Sequence, residues 1–153
     1  MPLRDLLACP VCKSDVDGVW GDQLACQRCG RRYPFVNGVP CMLADPPELP
    51  VSNERELDVR PGYSRWKERI VLKSLTDAHV ALDFGAGRQA LDDPCIIRMD
   101  ITPSPYVDLV GDVQALPLKA GSVDFAFGGA VMEHLRKPDR AVQELYDVLK
   151  PGG

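Results

Sequence analysis

The chain is 153 residues long, 45% hydrophobic and 26% charged, the make-up of a folded protein with one medium or two small units and not of a disordered one. Its formal charge of −4 is spread evenly, with seven Lys/Arg against nine Asp/Glu in residues 1–60 and eleven against thirteen in 61–153, so neither half carries the basic excess of a nucleic-acid footprint. The segment 1–8 has no apolar core of export-signal length, and no stretch approaches the roughly 20 apolar residues of a membrane span, which predicts a cytoplasmic protein with no membrane partner.

In chain order, the first chemical signal is "CPVC" at Cys9–Cys12 and "CQRC" at Cys26–Cys29, two C-x-x-C pairs separated by thirteen residues. Each pair can wrap a backbone turn around one face of a tetrahedral Zn²⁺, with Gly30 as the turn residue after the second pair. A unit this small buries little apolar area, and metal ligation, on the order of 10–16 kcal/mol in zinc-finger peptides, supplies the missing stability. The expected site, Cys9, Cys12, Cys26 and Cys29, is closed and therefore structural. Two disulfides or a redox dithiol are the competing readings, without the export signal or the need for redox chemistry that would favour them. Cys41 and Cys95 stand in apolar surroundings and are expected to be buried. Arg31, Arg32 and Tyr33 form either a small RNA-facing patch or, the preferred reading, a solvated turn with Tyr33 packed on the ribbon.

Residues 46–62 carry four prolines and many charges and read as a linker. Beyond it, Trp66, Ile70 and Leu75 recur at near-helical spacing; Tyr63 and Trp66 either lid a ligand or pack this helix on a sheet. Strands are expected over Val80–Phe84, Ile96–Ile101, Val107–Val110 and Val123–Phe127. A helix over Pro138–Lys150 follows, with Ala141, Val142, Leu145, Val148 and Leu149 as its apolar stripe and Gly152 as its stop.

The stretch "LDFGAGRQALDDPCIIRMD" sets a glycine turn between the first two of these strands. A dinucleotide site uses a third glycine and a full helix aimed at a pyrophosphate, whereas Gln89 stands at the third position and the crossover is too short for such a helix. S-adenosylmethionine has no phosphate and needs only a tight turn, which Gly85 and Gly87 supply, and a carboxylate for its ribose diol, for which Asp100 is placed.

The segment "LRDLLACPVC…LACQRCGRRYPFVNGVPCMLAD" resembles the Trm112-like zinc-ribbon family. The ordered motifs "LDFGAG", "MDI", "VDLVGDVQALPLKAGSVDFAFGGAVMEHL" and "AVQELYDVLKPGG" resemble the first four strands of a class I S-adenosylmethionine-dependent methyltransferase. Together they imply an α/β chain: a zinc ribbon over 1–45, a linker over 46–62, and over 63–153 a partial Rossmann-like domain with a mainly parallel sheet whose C-terminal strands are absent. Carried over residue by residue, the resemblance implies a methionine-facing turn of Asp83, Gly85, Ala86 and Gly87, and a ribose-binding Asp100 with Ile101 beside it. It implies adenine contacts by Asp112 and Val113, and Gly128 beside the sulfonium. Asp112 has the alternative of a turn residue, and Asp83 of a brace for the glycine turn.

Methyl transfer needs little beyond in-line positioning, so Glu133 and His134 are only candidates, His134 as a base, with bracing the turn before Pro138 as the preferred alternative. The acceptor stays open among small molecule, protein and RNA, the last not favoured by the charge balance. The ribbon resemblance implies a scaffold or docking module, so a non-catalytic adaptor is the main alternative to an enzyme. An open apolar edge at Val123–Phe127 invites pairing with another chain, in a homo- or hetero-oligomer.

Overall fold

A computed structural model describes residues 2–45, 65–75, 80–87, 91 and 93–153. The linker expected over 46–62, and Tyr63, lie outside the described residues, and so does the Trp66 side chain. Among the described residues no helix is long and apolar enough to cross a membrane.

The first forty residues fold as a short helix, α1 (Leu3–Leu6), and an antiparallel sheet of β1 (Val16–Val19), β2 (Gln23–Cys26), β3 (Arg32–Val36) and β4 (Val39–Pro40) in sequential order. The β3–β4 hairpin closes through Asn37-Gly38, whose φ values of 52° and 81° are those of the tight turn this residue pair favours. Trp20 packs edge-on against Phe35 with ring centroids 5.2 Å apart.

The second sheet is parallel, ordered β7 (Leu109–Val110), β6 (Ile96–Asp100), β5 (Ala81–Phe84), β8 (Phe125–Phe127). Side chains alternate between its faces as a two-residue period requires. Ala81, Ile96, Phe125 and Phe127 pack with Val71 of α2 (Arg65–Ser74) and Leu91. Leu82, Phe84, Ile97 and Met99 face the opposite way, onto Ala141 and Val148 of α3 (Pro138–Val148). β5 is buried along its whole length, as the centre of a doubly covered parallel sheet must be.

The N-terminal sheet, called the ribbon below, enters this second core. Leu6, Leu7, Leu24 and Met42 belong to the same buried cluster as Leu82, Met99, Leu109 and Leu118. Backbone pairing joins the two sheets: Met42 N–H donates to the Val110 carbonyl at 2.8 Å, Ala8 N–H to Pro117 at 3.0 Å and Lys119 N–H to Leu6 at 2.8 Å. Cys41 bridges Val110, so the ribbon covers the edge that β7 would otherwise expose. Lys13 completes the junction, donating from Nζ to the Leu116 carbonyl at 2.8 Å and to the Glu144 carboxylate. Glu144 Oε2 also accepts the Leu116 N–H at 2.7 Å. Glu144→Ala strands that N–H and removes one of the two partners of the Lys13 ammonium, and is expected to lower unfolding free energy by about 1–3 kcal/mol in urea titration. A change below about 0.5 kcal/mol would show that the latch contributes nothing.

Several expectations shift in detail. β6 ends at Asp100, not Ile101, because Asp100 Oδ1 accepts the Thr102 N–H at 2.9 Å and turns the chain. β7 spans only Leu109–Val110, since Val107 N–H closes a turn onto the Ser104 carbonyl. β8 begins at Phe125; Val123 instead bridges Leu149 and accepts the Lys150 N–H, so the start of the expected open edge is covered by the chain leaving α3. Among the described side chains of α2 the buried one is Val71, while Ile70 of the predicted stripe is 45% exposed; Leu75, from the same stripe, packs partly buried on the Val71 cluster. In α3, which stops at Val148, Val142 is 55% exposed and drops out of the stripe. No helix occurs among the described residues between β5 and β6.

Candidate functional site

The four cysteines of the two C-x-x-C pairs converge. Their sulfurs all lie within 4.8 Å of one another, with Cys9–Cys29 at 3.7 Å and Cys12–Cys26 at 3.4 Å. Around a tetrahedral ion with metal–sulfur bonds of about 2.3 Å, sulfurs sit roughly 3.8 Å apart, so the cage has the right size. All six cysteines are free thiols, and 3.4 Å is far beyond the roughly 2.05 Å of a disulfide bond.

Each pair is followed by a residue with positive φ, Lys13 at 59° and Gly30 at 71°, which folds the backbone back over its sulfurs. Arg28 and Cys29 N–H both donate to Cys26 Sγ at 3.4 Å. The Ser14 N–H is the largest influence holding the Cys12 thiol down to about 6. At Cys29 the lowering by the Arg31 N–H is outweighed by burial and the three neighbouring thiols, which push it up to about 11. Tyr33 is buried with its hydroxyl 3.0 Å from Cys9 Sγ, its ionisation pushed up first by burial and then by Cys9. Tyr33 thus packs on the ribbon as expected, but Arg32 and Tyr33 belong to β3, paired with Ala25 and Leu24, and not to a turn; Arg31 donates to the Ala44 carbonyl and Arg32 to Gln23 at 3.2 Å. Cys41 is buried as expected, and burial pushes its thiol up, but Cys95 is only half-buried.

The second candidate region lies at the C-terminal ends of the parallel strands, where the order reverses between β5 and β8, the usual ligand crevice of such sheets. Gly85 and Gly87 turn the chain with φ of 73° and 55°. The Gly85 and Ala86 N–H groups both donate to the Met99 carbonyl, at 2.8 and 3.0 Å, and the Gly87 N–H donates to Asp100 Oδ2 at 2.9 Å. The loop is therefore held by β6 and spends its own donors internally.

A cavity of ≈ 570 Å³ opens against this loop. Of the predicted residues, Gly85, Asp100, Ile101, Asp112, Val113 and His134 line it. Asp83 is fully buried in β5. Ala86 is buried and Gly87 is bonded to Asp100, so both stand behind the lining. Gly128 packs on Phe84, and Glu133 is exposed on the 3₁₀ turn Met132–His134. Asp112 is also a turn former, its Oδ1 accepting the Gln114 N–H at 2.8 Å. Gln114 in turn accepts the Lys137 N–H at 2.9 Å ahead of α3.

Residues 82–153 match the family model of a methyltransferase domain. The chain is 32% identical over 103 residues to the malonyl-[acyl-carrier protein] O-methyltransferase of Methylococcus capsulatus, a match covering 65% of this chain and 34% of that protein. It is 41% identical over 56 residues to an uncharacterized 37.1 kDa protein in a Streptomyces fradiae transposon, covering 37% of this chain and 16% of that one. The matches thus span about a third or less of the length of these relatives.

The cavity is also lined by Met99, Gly111, Ala130, Val131 and Leu135, which no sequence motif marked. Ala130 has a φ of 55°, a conformation with no sequence signal in a non-glycine residue. Val131 leans over the turn so closely that a Cβ on Gly85 would stand 2.2 Å from its Cγ2. At Gly128 a Cβ would meet the Phe84 ring at 2.5 Å and the Phe84 carbonyl at 2.7 Å. Gly128→Ala is expected to cost about 1–3 kcal/mol through this overlap, read as a lowered thermal midpoint. An unchanged midpoint would mean that strand and turn separate freely there.

Proposed function

We propose that the chain binds S-adenosylmethionine in the cavity at the β5–β8 switch, transfers its methyl group to an acceptor, and holds a structural Zn²⁺ between Cys9, Cys12, Cys26 and Cys29. The observation that carries the cofactor reading is the commitment of the loop's donors. With the Gly85, Ala86 and Gly87 N–H groups bonded to Met99 and Asp100, the turn offers close apolar approach and no cradle for a pyrophosphate. That suits a ligand with an amino-acid tail and a ribose but no phosphate. The methyltransferase-domain match supports the same chemistry.

When bound, the cofactor would supply an electrophilic methyl group to the acceptor. The protein's contribution is positioning. Asp100 uses each oxygen once, for Gly87 and Thr102, and a carboxylate has further lone pairs for ribose hydroxyls. Asp112 and Val113, which both line the cavity, are the proposed acceptor for an adenine amine and its apolar wall. His134, exposed on the cavity's rim, is the proposed acceptor for a proton leaving the substrate.

The ribbon is proposed as a fixed wall and not a free docking module, because its apolar residues are spent in the core it shares with the sheet. Titration calorimetry with S-adenosylhomocysteine tests the cofactor reading: saturable heat is expected, and none at millimolar ligand would sink it. Metal analysis of protein purified without added zinc is expected to give near one equivalent.

A further inference from the structure

A second cavity of ≈ 490 Å³ adjoins the first and shares Asp45, Ile101, Asp112, Gln114 and Arg136 with it. One side comes from the ribbon, where Val11 and Arg31 lie beside the two C-x-x-C pairs; the other comes from Arg136, Lys137 and Arg140 at the start of α3. Four cations therefore face one cleft in a chain whose formal charge is −4. Among the described residues no carboxylate lies within ion-pair distance of the Arg136, Lys137 or Arg140 side chains. The carboxylates that line the cleft are Asp45 and Asp112, and Asp112 is engaged by Gln114. Like charges crowded in this way repel one another, a cost that a bound anion would offset. The same cleft carries apolar surface at Val11, 46% exposed, and Ile101, 49% exposed.

We infer that this cleft binds a small molecule with an apolar body and a carboxylate or phosphate group, beside the end of the cofactor cavity proposed for the adenine, and that the ribbon forms one wall of this site. The inference goes beyond the methyl-transfer reading above and stands on the cleft's own residues. The anion would sit against Arg136, Lys137 and Arg140, and the apolar body on Val11 and Ile101. The even, slightly acidic charge outside the cleft argues for a small anion over an RNA strand, whose backbone would need a longer basic track.

The test uses the full chain and three probes of matched apolar length below their micelle concentrations: octyl phosphate, octanoate and octyl glucoside. Titrations at low ionic strength are expected to show saturable binding of the phosphate, the carboxylate or both, and none of the neutral glucoside. The double variant Lys137→Glu/Arg140→Glu, at two exposed positions outside the cofactor cavity, is expected to weaken anion binding at least about tenfold, with S-adenosylhomocysteine binding and the far-ultraviolet spectrum unchanged. No saturable anion binding, equal binding of the glucoside, or unchanged affinity in the variant overturns the inference, even where S-adenosylhomocysteine binds. Displacement of octyl phosphate by a 12-mer RNA at lower concentration would overturn it in favour of RNA. Loss of S-adenosylhomocysteine binding alone, with the anion site intact, would fail the cofactor reading instead.

Discussion

Cys26→Ser is expected to abolish metal binding and to lower the thermal midpoint of the whole chain by at least about 10 °C, not of the ribbon alone. Cys26 is buried, and its sulfur organises the second knuckle by accepting the Arg28 and Cys29 N–H groups. Without the metal, thiols held within 4.8 Å of one another have nothing to bind them together, and the hairpins they tie lose their anchor. The loss propagates because Leu6, Leu7 and Met42 complete the core around Leu82, Met99 and Leu109, and because Met42 N–H pairs with the edge of β7. Metal content and differential scanning calorimetry read the two effects separately. Cys95→Ser, at a half-buried thiol outside the cluster, is expected to leave metal content unchanged. A Cys26→Ser protein that melts at the wild-type temperature would show that the ribbon is an appendage and not a wall.

The parts of this architecture that were legible in the sequence are those fixed by local chemistry. Two C-x-x-C pairs mark a cage because four thiols have few other reasons to recur at that spacing, and the cage is there. β5 and β6 were legible because buried strands are continuous apolar runs, and Gly85-Ala86-Gly87 because positive φ at Gly85 and Gly87 selects glycine. What was not legible depends on contacts between distant residues. The burial of Val71 in place of Ile70 follows from the angle at which α2 meets Ala81 and Ile96, which no spacing rule supplies. The joining of the two sheets through Cys41 and Val110, and the reach of Lys13 across to Glu144, are equally invisible in single motifs. Gly128 was assigned beside a cofactor, whereas its immediate physical demand is the Phe84 ring against it.

The candidate site shows the same division. Asp100 was read as a ribose acceptor, but its carboxylate also does a job within the protein, bonding Gly87 and Thr102. These two roles predict different outcomes for Asp100→Asn, which keeps the side chain's size and one acceptor oxygen. If the carboxylate holds the ribose, S-adenosylhomocysteine affinity is expected to fall about 10- to 100-fold, the worth of hydrogen bonds to a charged group at about 1.5–3 kcal/mol. The discriminating measurement is the ratio of affinities for adenosine and 2′-deoxyadenosine. The wild-type chain is expected to prefer adenosine roughly tenfold, because the deoxy compound leaves one carboxylate lone pair without its hydroxyl. In Asp100→Asn that preference is expected to shrink toward unity. Should Asp100 only brace the glycine turn, both nucleosides would weaken together and their ratio would survive. The ribose assignment would then fall while the loop geometry that frames the cavity stands, since the Gly85 and Ala86 N–H groups keep their hold on Met99 independently of Asp100.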